Sequence, residues 1–307
     1  MNNIYIFGHQ NPDTDTIVSA MAWADLNHQL GNNQYVAARL GKLSRETQFV
    51  LDRFKLDTPE LLTDATGKQV VLVDHNDFKQ SAPNIDQADI LAIVDHHRIA
   101  GIETAIPLYI TMEPLGSTAS IIYKKYEHHN LTINPAMAGG LLSAIISDTL
   151  GLTSPTTTSE DEVIAADLAN IAGVDIKTYG DEMLRAGASL EGFTPADIFG
   201  QDRKRFDFAD TGAYVGQVFT FDVDQVLTQK AQLLATMQAY IDANDASLAI
   251  LAITNLGTND STLYACGRNI DVAHRAFNFT GDETFLPGVV SRKSQLVPPL
   301  TAAVKNL

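Results

Sequence analysis

Histidine and aspartate residues follow three short apolar runs in the N-terminal third of the sequence. Each run is typical of a buried strand, and each ends in or precedes an imidazole, a carboxylate or both. One more aspartate ends a later helix-like segment, AIISD. Open α/β sheets bind ligands outside the carboxyl ends of their strands, so the pattern predicts one shared site. The candidate residues are His9, Asp13, Asp15, Asp74, His96, His97 and Asp148.

This combination of imidazoles and carboxylates, with no thiolate among them, favours a divalent ion such as Mn²⁺, Mg²⁺ or Co²⁺. A single aspartate after a strand is usually a turn former or a helix cap, so only the joint pattern indicates chemistry. Seven candidate ligands are too many for one ion, but they suffice for two ions that share a bridging carboxylate. Two ions roughly 3.5–4 Å apart promote in-line displacement at phosphorus, which predicts chemistry on a phosphate compound.

The first of these loops, GHQNPDTD, has a spacing that fits two ions. Asp13 and Asp15 are separated by one residue, and each can serve a different ion. Pro12 fixes one backbone dihedral of the loop. A helix predicted over 16–30 places the positive end of its dipole at the site.

Strand-like and helix-like segments alternate through the first half of the chain, which is typical of an α/β protein. The nearly continuous apolar strands suit a parallel sheet whose faces are both covered. We therefore expect a mostly parallel open sheet with helices on both faces. The predicted strands are 4–7, 70–74 and 90–95, and the predicted helices are 16–30, 44–54, 117–129, 135–146 and 159–172.

The segment GASLEGFTPADIFGQD, residues 187–202, interrupts this alternation with glycines and a Thr-Pro turn. A second α/β pattern follows it, with strands predicted at 214–221, 247–254 and 262–267 and a helix at 224–241. We therefore expect an α/β protein of two domains. The predicted limits are 1–188 for the metal-binding catalytic domain, 189–195 for a linker, and 196–307 for a smaller, substrate-binding α/β domain with a mixed sheet.

The composition narrows the expected partners of this 307-residue chain. A formal net charge of −16 opposes a nucleic-acid partner, because affinity for a phosphate backbone comes from basic surface. No apolar stretch approaches the roughly 20 residues that span a bilayer, so no membrane partner is expected. The N-terminus lacks the features of a signal peptide, and Cys266 is the only cysteine. These features favour a cytoplasmic protein.

Five motifs together resemble those of the family II inorganic pyrophosphatases, the manganese-type soluble enzymes of the DHH phosphoesterase superfamily. The motifs are GHQNPDTD, VDHND, VDHH, SDT and SRKSQLVPPL, and the resemblance spans the chain from His9 to about Pro299. It implies hydrolysis of inorganic pyrophosphate to two orthophosphates, with attack by a water or hydroxide that bridges two metal ions. It also implies a substrate site in the cleft between the domains and a homodimer through the N-terminal domain.

The resemblance further implies a set of cofactors and ligands. Two Mn²⁺ ions are expected per subunit, with Co²⁺ or Mg²⁺ as substitutes, and Mg²⁺ is expected with the substrate. The implied ligands are His9 and Asp13 for one ion, Asp15, His96 and Asp148 for the other, and Asp74 for both.

Four more residues match the substrate-binding and catalytic positions of the family. His97, the second histidine of the DHH motif, is expected to face the substrate and not a metal. Lys204, Arg292 and Lys293 are expected to grip the diphosphate. The arginine offers a planar fork of donors, whereas the lysines act as compact charges. Ser294 stands where many relatives carry another lysine, which is the one difference beside these positions.

Four neighbouring residues are interpreted as supports of the site. His75 is expected to hold the site from behind and not to bind metal, and Asp95 is expected to orient a neighbouring histidine. Ser117 and Thr118 are interpreted first as a loop and helix N-cap, with contact to the active site as the alternative.

Two other functions remain alternatives to a pyrophosphatase. A DHH-type short-chain polyphosphatase or nucleotide phosphodiesterase would share the metal site. The nucleic-acid-binding relatives typically carry a glycine-rich motif in the second domain, where this chain has PGVVSRKSQ. A non-catalytic phosphate or nucleotide sensor would have lost ligands, and none of the expected ligands is missing.

Overall fold

The computed structural model describes residues 3–99, 104, 107–208 and 211–305. The chain divides into two compact units, Met1–Gly187 and Ala188–Leu307. The domain limits expected from the sequence, whose outermost residues lie outside the described ranges, stay a prediction.

Six parallel strands form the sheet of the first unit, in the order β3-β2-β1-β4-β5-β6. The three strands predicted from apolar runs, β1, β4 and β5, lie next to one another within this sheet. The others are shorter or less apolar and were not predicted. The strands are β1 Ile4–Phe7, β2 Tyr35–Arg39, β3 Glu60–Leu61, β4 Gln69–Val73, β5 Asp89–Asp95 and β6 Tyr109–Met112.

Six α-helices lie in the described part of the first unit, and polar residues cap five of them. The side chains of Asp13, Ser44, Ser117, Asn134 and Thr158 each accept a hydrogen bond from a backbone N–H of the first turn. The helices are α1 Thr14–Gln29, α2 Arg45–Phe54, α3 Thr118–His129, α4 Pro135–Asp148, α5 Ser159–Ala172 and α6 Ile176–Gly187. The last of these was not predicted.

The two faces of this sheet are covered unequally. On one face, Ile6 and Val71 pack into a large core with residues of α1, α3, α4 and α5. On the other face, Phe7 and Leu72 pack beneath two short 3₁₀ helices, Phe78–Gln80 and Ile85–Gln87, and the loops around them. The central strands are therefore buried on both sides, as their apolar sequences require.

The strand order creates a switch point between β1 and β4. From β1 the chain continues to β2 and β3 on one side, whereas from β4 it continues to β5 and β6 on the other. Connections leaving in opposite directions open a crevice at the carboxyl ends of these two strands. This crevice is where His9, Asp13 and Asp74 follow their strands.

Five strands form the mixed sheet of the second unit, in the order β11-β10-β9-β8-β7, with only β8 and β9 parallel. They are β7 Arg203–Phe208, β8 Thr211–Thr220, β9 Leu248–Asn255, β10 Asp260–Cys266 and β11 Glu283–Leu286. The helices are α7 Pro195–Gly200, α8 Val223–Leu227, α9 Lys230–Ala243, α10 Asp271–Phe277 and α11 Val297–Lys305. A π-helical turn, Arg292–Leu296, precedes the last helix. The mixed sheet and the α/β class agree with the prediction.

One local prediction for this unit was wrong. The helix predicted at 224–241 is two helices, α8 and α9, which are separated at Thr228 and Gln229. The strand β7 was not predicted, and it begins with the basic run Arg203–Arg205. Its charged residues break the apolar pattern by which strands were predicted. Among the described residues, it is an edge strand that pairs only with β8.

The α-helices of both units are too short or too polar to cross a bilayer, as far as the described residues show.

Candidate metal centre

The carboxyl ends of β1, β4 and β5 bring overlapping groups of candidate ligand atoms together. In each group, one ligand atom from every residue lies within 4.8 Å of the others. The described residues form three such groups, and Asp74 belongs to all of them. One group is Asp74, His96 and His97, and it includes the histidine that is expected to face the substrate. We call the other two the first and the second ligand group. The first ligand group is His9, Asp13 and Asp74; the second ligand group is Asp15, Asp74, His96 and Asp148.

Asp74 is held in an unusual position at the end of β4. Its backbone has φ 59°, in the left-handed region that few residues other than glycine, asparagine and aspartate adopt readily. The residue is 1% exposed. The Thr16 hydroxyl donates to Oδ2 at 2.6 Å, and the Thr118 hydroxyl donates to Oδ1 at 3.1 Å. Both carboxylate oxygens are therefore fixed.

The two oxygens of Asp74 face different histidines. Oδ2 lies 3.6 Å from Nε2 of His9, in the first ligand group. Oδ1 lies 3.5 Å from Nε2 of His96, in the second ligand group. One carboxylate thus presents one oxygen to each group, which is the arrangement that a bridging ligand requires.

His96 carries the clearest indication of a cation. Its Nδ1 donates a hydrogen bond to the Leu115 carbonyl oxygen at 3.0 Å, so Nε2 holds the lone pair. Among the described residues, Nε2 is buried and has no hydrogen-bond partner. It lies 3.5 Å from Oδ2 of Asp148, the last residue of α4. A buried lone pair facing carboxylates fits a metal ligand whose other ring nitrogen is fixed by a carbonyl.

The start of a helix separates Asp13 from Asp15. Helix α1 begins at Thr14, two residues before the predicted start, and therefore contains Asp15. Asp13 stays outside the helix as its N-cap, with Oδ1 accepting from the Thr16 amide and Oδ2 lying 3.3 Å from His9 Nε2. The two carboxylates thereby fall into different ligand groups.

Asp15 is anchored by the N-terminus of a second helix. The backbone amide of Thr118 donates to its Oδ2 at 2.7 Å, and that of Ala119 donates to its Oδ1 at 3.0 Å. The Ser19 hydroxyl donates to the same Oδ1 at 2.9 Å. The first amides of α3, which have no partner within the helix, therefore stabilise a carboxylate of the second ligand group.

Buried carboxylates dominate the electrostatics of the centre. Burial and the neighbouring carboxylates of Asp15, Asp13 and Asp148 raise the pKa of Asp74 well above its usual range. Burial, followed by the charges of Asp15 and Asp13, raises the pKa of Asp148 to about 11. So many carboxylates can stay ionised together only if positive charge balances them. The carboxylate and imidazole donors suit Mn²⁺ in that role.

His97 is oriented by Asp95, as the sequence predicted. The backbone N–H and ring Nδ1 of His97 both donate to Asp95 Oδ1, at 3.0 and 2.9 Å, and Asn76 donates to Oδ2 at 2.6 Å. The hydrogen bond to Asp95 raises the pKa of His97. Nδ1 is 3.7 Å from Asp74 Oδ1, but its proton is used by Asp95, which leaves Nε2 as the nitrogen available to a ligand.

His75 does not face the ligand groups. Its Nδ1 donates to the Val73 carbonyl oxygen at 2.9 Å, and its Nε2 lies 3.0 Å from the Ser81 hydroxyl. Burial lowers the pKa of His75 to about 4, so the ring is neutral. Both nitrogens are occupied, which agrees with a supporting role.

A cavity of about 670 Å³ opens beside the second ligand group. Its walls include Asp13, His96, His97 and Asp148. The volume lies within the range of small-molecule sites. The cavity beside the centre can therefore receive a small molecule.

The basic run of β7 presents its side chains to opposite faces, because successive strand residues alternate. The Arg203 guanidinium lies 3.5 Å from the ring centroid of Tyr240, and Arg205 donates to the Asn244 carbonyl oxygen. Lys204 lies between them in sequence and is exposed. The Lys204 side chain therefore lies on the opposite face of β7 from the two arginines, which contact other residues of the second unit.

Arg292 is not the free fork of donors that the sequence suggested. It is 10% exposed, and its Nη2 lies 2.9 Å from Oδ2 of Asp202, while Nη1 donates to the Asp202 carbonyl oxygen. Nη1 also lies 3.5 Å from the carbonyl oxygen of Val215, the β8 partner of Lys204. Lys293, the next residue along the chain, is exposed.

Sequence reasoning identified the candidate ligands but missed several of the groups that fix them. Thr16 was treated only as the start of a helix, although its hydroxyl holds Asp74. For Thr118, contact with the active site was only the alternative to a helix-cap role, yet it contacts both Asp15 and Asp74. A threonine in the first turn of a helix beside the site is a weak signal, since helix termini commonly carry threonine without any function.

Two family models match the chain. The model of the DHH family N-terminal domain matches residues 3–145, and the model of the DHHA2 domain matches residues 181–303. The DHH match contains every proposed ligand except Asp148. The motif-based resemblance therefore agrees with both models.

Comparisons over the full length are consistent with these matches. The chain is 47% identical to a probable manganese-dependent inorganic pyrophosphatase of Staphylococcus carnosus (strain TM300), covering 99% of this chain and 100% of the relative. It is 44% identical to a protein of the same description from Streptococcus mutans serotype c, covering 98% of each. The crystal structure of a putative family II inorganic pyrophosphatase of Methanococcus jannaschii has 37% identity and a TM-score of 0.65, covering 98% of this chain and 99% of that one. The chain therefore belongs to the manganese-dependent, family II inorganic pyrophosphatases.

Proposed function

We propose that this protein hydrolyses inorganic pyrophosphate to two orthophosphates at a centre that holds two divalent metal ions. The observation that carries the proposal is the position of Asp74, whose two oxygens face His9 and His96 separately. The relatives described as manganese-dependent pyrophosphatases support the choice of substrate and metal.

The first ligand group is proposed to hold one Mn²⁺ and the second ligand group the other, with Asp74 shared. The ions, when bound, would activate a water nucleophile and neutralise phosphoryl oxygens. The threonine hydroxyls and the α3 amides keep the carboxylates in place, so no rearrangement of the protein is needed as charge develops. Co²⁺ and Mg²⁺ prefer similar donors and are proposed as substitutes, with a further Mg²⁺ accompanying the substrate.

Four residues are proposed to bind the diphosphate. His97, with Nδ1 held by Asp95, would donate from Nε2 to a phosphoryl oxygen when protonated. Lys204, Arg292 and Lys293 of the second unit would stabilise the charge of the transferring and leaving groups. Catalysis would then depend on positioning and electrostatics, without a covalent intermediate.

We also propose that the protein is a cytoplasmic homodimer with neither nucleic-acid nor membrane partners. In the described part of the chain, no strand pairs with the outer edge of β6. Its residues Tyr109 and Ile110 are 50% and 48% exposed. An open edge with exposed apolar residues is suited to pairing with a second copy through the first unit.

The proposed activity is tested by stripping the metals and measuring phosphate release from pyrophosphate after adding Mn²⁺, Co²⁺, Mg²⁺ or Zn²⁺ separately. We expect no release without metal and the greatest release with Mn²⁺. Tripolyphosphate and a dinucleotide, assayed in parallel, test the polyphosphatase and phosphodiesterase alternatives. Pyrophosphate left intact with every cation would overturn the proposal and leave a sensor as the better interpretation.

Replacing the shared carboxylate should disrupt both ligand groups. We expect Asp74→Asn to lower kcat by more than about 100-fold, because even residues that only orient a metal ligand contribute roughly 10–100-fold. Bound manganese, measured by atomic absorption after dialysis, should also fall. Asp89→Asn makes the same charge change at the exposed start of β5 and should leave both quantities unchanged. Full activity of Asp74→Asn with two metals retained would contradict the shared role.

Removing the exposed lysine of β7 should weaken the diphosphate grip and leave the metal centre intact. We expect Lys204→Ala to lower kcat/KM roughly 10–100-fold, since a hydrogen bond to a charged group contributes about 1.5–3 kcal/mol. Manganese content should not change. Lys177→Ala removes an exposed lysine of α6 and serves as the matched control. Equal kcat/KM values for the two variants would exclude Lys204 from substrate binding.

A charge on the open edge of β6 should separate the two copies. We expect light scattering to give the mass of two chains for the unmodified protein and of one chain for Ile110→Lys. Phe285→Lys places the same charge at an exposed residue of β11, which is the edge strand of the second unit, and should remain dimeric. A dimer that survives Ile110→Lys would place the interface elsewhere.

A further inference from the structure

Asp161 is a fully buried carboxylate outside the two ligand groups. It lies in the first turn of α5, with 0% exposure. Its Oδ2 accepts hydrogen bonds from the backbone N–H and the hydroxyl of Thr158, at 2.9 and 2.7 Å, which form part of the capping box of α5. A capping box accounts for these contacts but does not explain why the carboxylate is buried.

Two more hydrogen bonds connect Asp161 to a different part of the chain. Gly116 donates its backbone N–H to Oδ2 at 2.8 Å, and the Ser120 hydroxyl donates to Oδ1 at 2.6 Å. These residues bracket the start of α3, whose N-cap is Ser117. The carboxylate therefore fixes the segment from Gly116 to Ser120 on both sides of the helix start. We call residues 115–120 the α3 entry segment.

The α3 entry segment makes several contacts with the second ligand group. The Leu115 carbonyl oxygen accepts from Nδ1 of His96, and this bond sets which nitrogen of His96 holds the lone pair. The amides of Thr118 and Ala119 hold both oxygens of Asp15. The Thr118 hydroxyl holds Oδ1 of Asp74, the oxygen that faces His96. Three of the four carboxylate and imidazole ligands thus depend on this segment.

The first ligand group is held by other contacts. Asp13 is fixed by the Thr16 amide of α1, and Oδ2 of Asp74 by the Thr16 hydroxyl. A shift of the α3 entry segment would therefore affect the two groups unequally.

We propose that Asp161 is a positioning residue for the second ligand group, acting through the α3 entry segment on His96, Asp15 and Asp74. The proposal rests on the two-metal centre of the proposed function. Removing the carboxylate leaves the Gly116 amide without its acceptor and releases the Ser120 hydroxyl. The segment then loses the contacts that align its carbonyl and amides, and one metal position loses its preorganised ligands.

The test compares Asp161→Ala with Asp167→Ala. Asp167 also lies on α5 and accepts a hydrogen bond from an α3 residue, the Tyr123 hydroxyl, at 3.1 Å, but its partner is beyond the α3 entry segment. Both variants remove one carboxylate and one hydrogen bond between α3 and α5. Asp161→Ala also removes the hydrogen bonds to Gly116 and Thr158. Calorimetric titration of the metal-stripped full chain with Mn²⁺ measures the affinity of each metal position without requiring turnover.

We expect Asp161→Ala to weaken one of the two Mn²⁺ binding events by roughly 10–100-fold and to leave the other within about threefold. Asp161→Asn, which keeps an acceptor for the Gly116 amide, should restore most of the lost affinity. Asp167→Ala should leave both events unchanged. Unchanged titrations for Asp161→Ala, or an equal loss at both positions, would overturn the proposal.

Amide hydrogen exchange of the metal-free chain tests the same connection independently of metal binding. Exchange at Thr118 and Ala119 should be faster in Asp161→Ala and in Ser120→Ala than in Asp167→Ala. Ser120→Ala removes a single hydroxyl and supplies the measurement if Asp161→Ala does not fold. Equal exchange rates in Ser120→Ala and Asp167→Ala would contradict the link. A chain that binds two Mn²⁺ but leaves pyrophosphate intact would refute the proposed activity and leave this inference standing.

Discussion

Repulsion among buried carboxylates is the constraint on which the rest of the first unit depends. Asp15, Asp74 and Asp148 lie close together at the switch point of the sheet. Burial alone would favour the neutral forms of Asp74 and Asp148. The protein surrounds them with donors that prefer the ionised form, including the amides at the start of α3 and the hydroxyl of Thr16. These donors offset part of the negative charge of the carboxylates, and bound cations would balance the rest.

Much of this architecture could be predicted from the sequence because the signals are local. The apolar runs of β1, β4 and β5 are nearly uninterrupted, as strands buried on two faces must be. The strand β7 escaped prediction because Arg203 and Arg205 look like solvated charges, although aromatic rings and carbonyl oxygens of the second unit bind them. Such a strand becomes visible only when its tertiary partners are known.

The candidate site also contains some residues that could be predicted from the sequence and others that could not. Its candidate ligands could be proposed because imidazoles and carboxylates follow three apolar strand-like runs, at spacings that match a known family. The residues that hold these ligands in place could not be predicted. Thr118 and Asp161 lie roughly 100 residues or more after Asp15 and look like ordinary helix caps. The pairing of Arg292 with Asp202 spans 90 positions and leaves no periodic trace.

If Arg292 binds the diphosphate as proposed, its pairing with Asp202 would make it selective among anions. Asp202 lies against Nη2 of the guanidinium, so an anion that binds this nitrogen must displace a carboxylate. Such an exchange would favour ligands of high charge density over weakly charged ones, including chloride. Pyrophosphate would then compete better than orthophosphate, which carries less charge, and the same pairing would help to release the products.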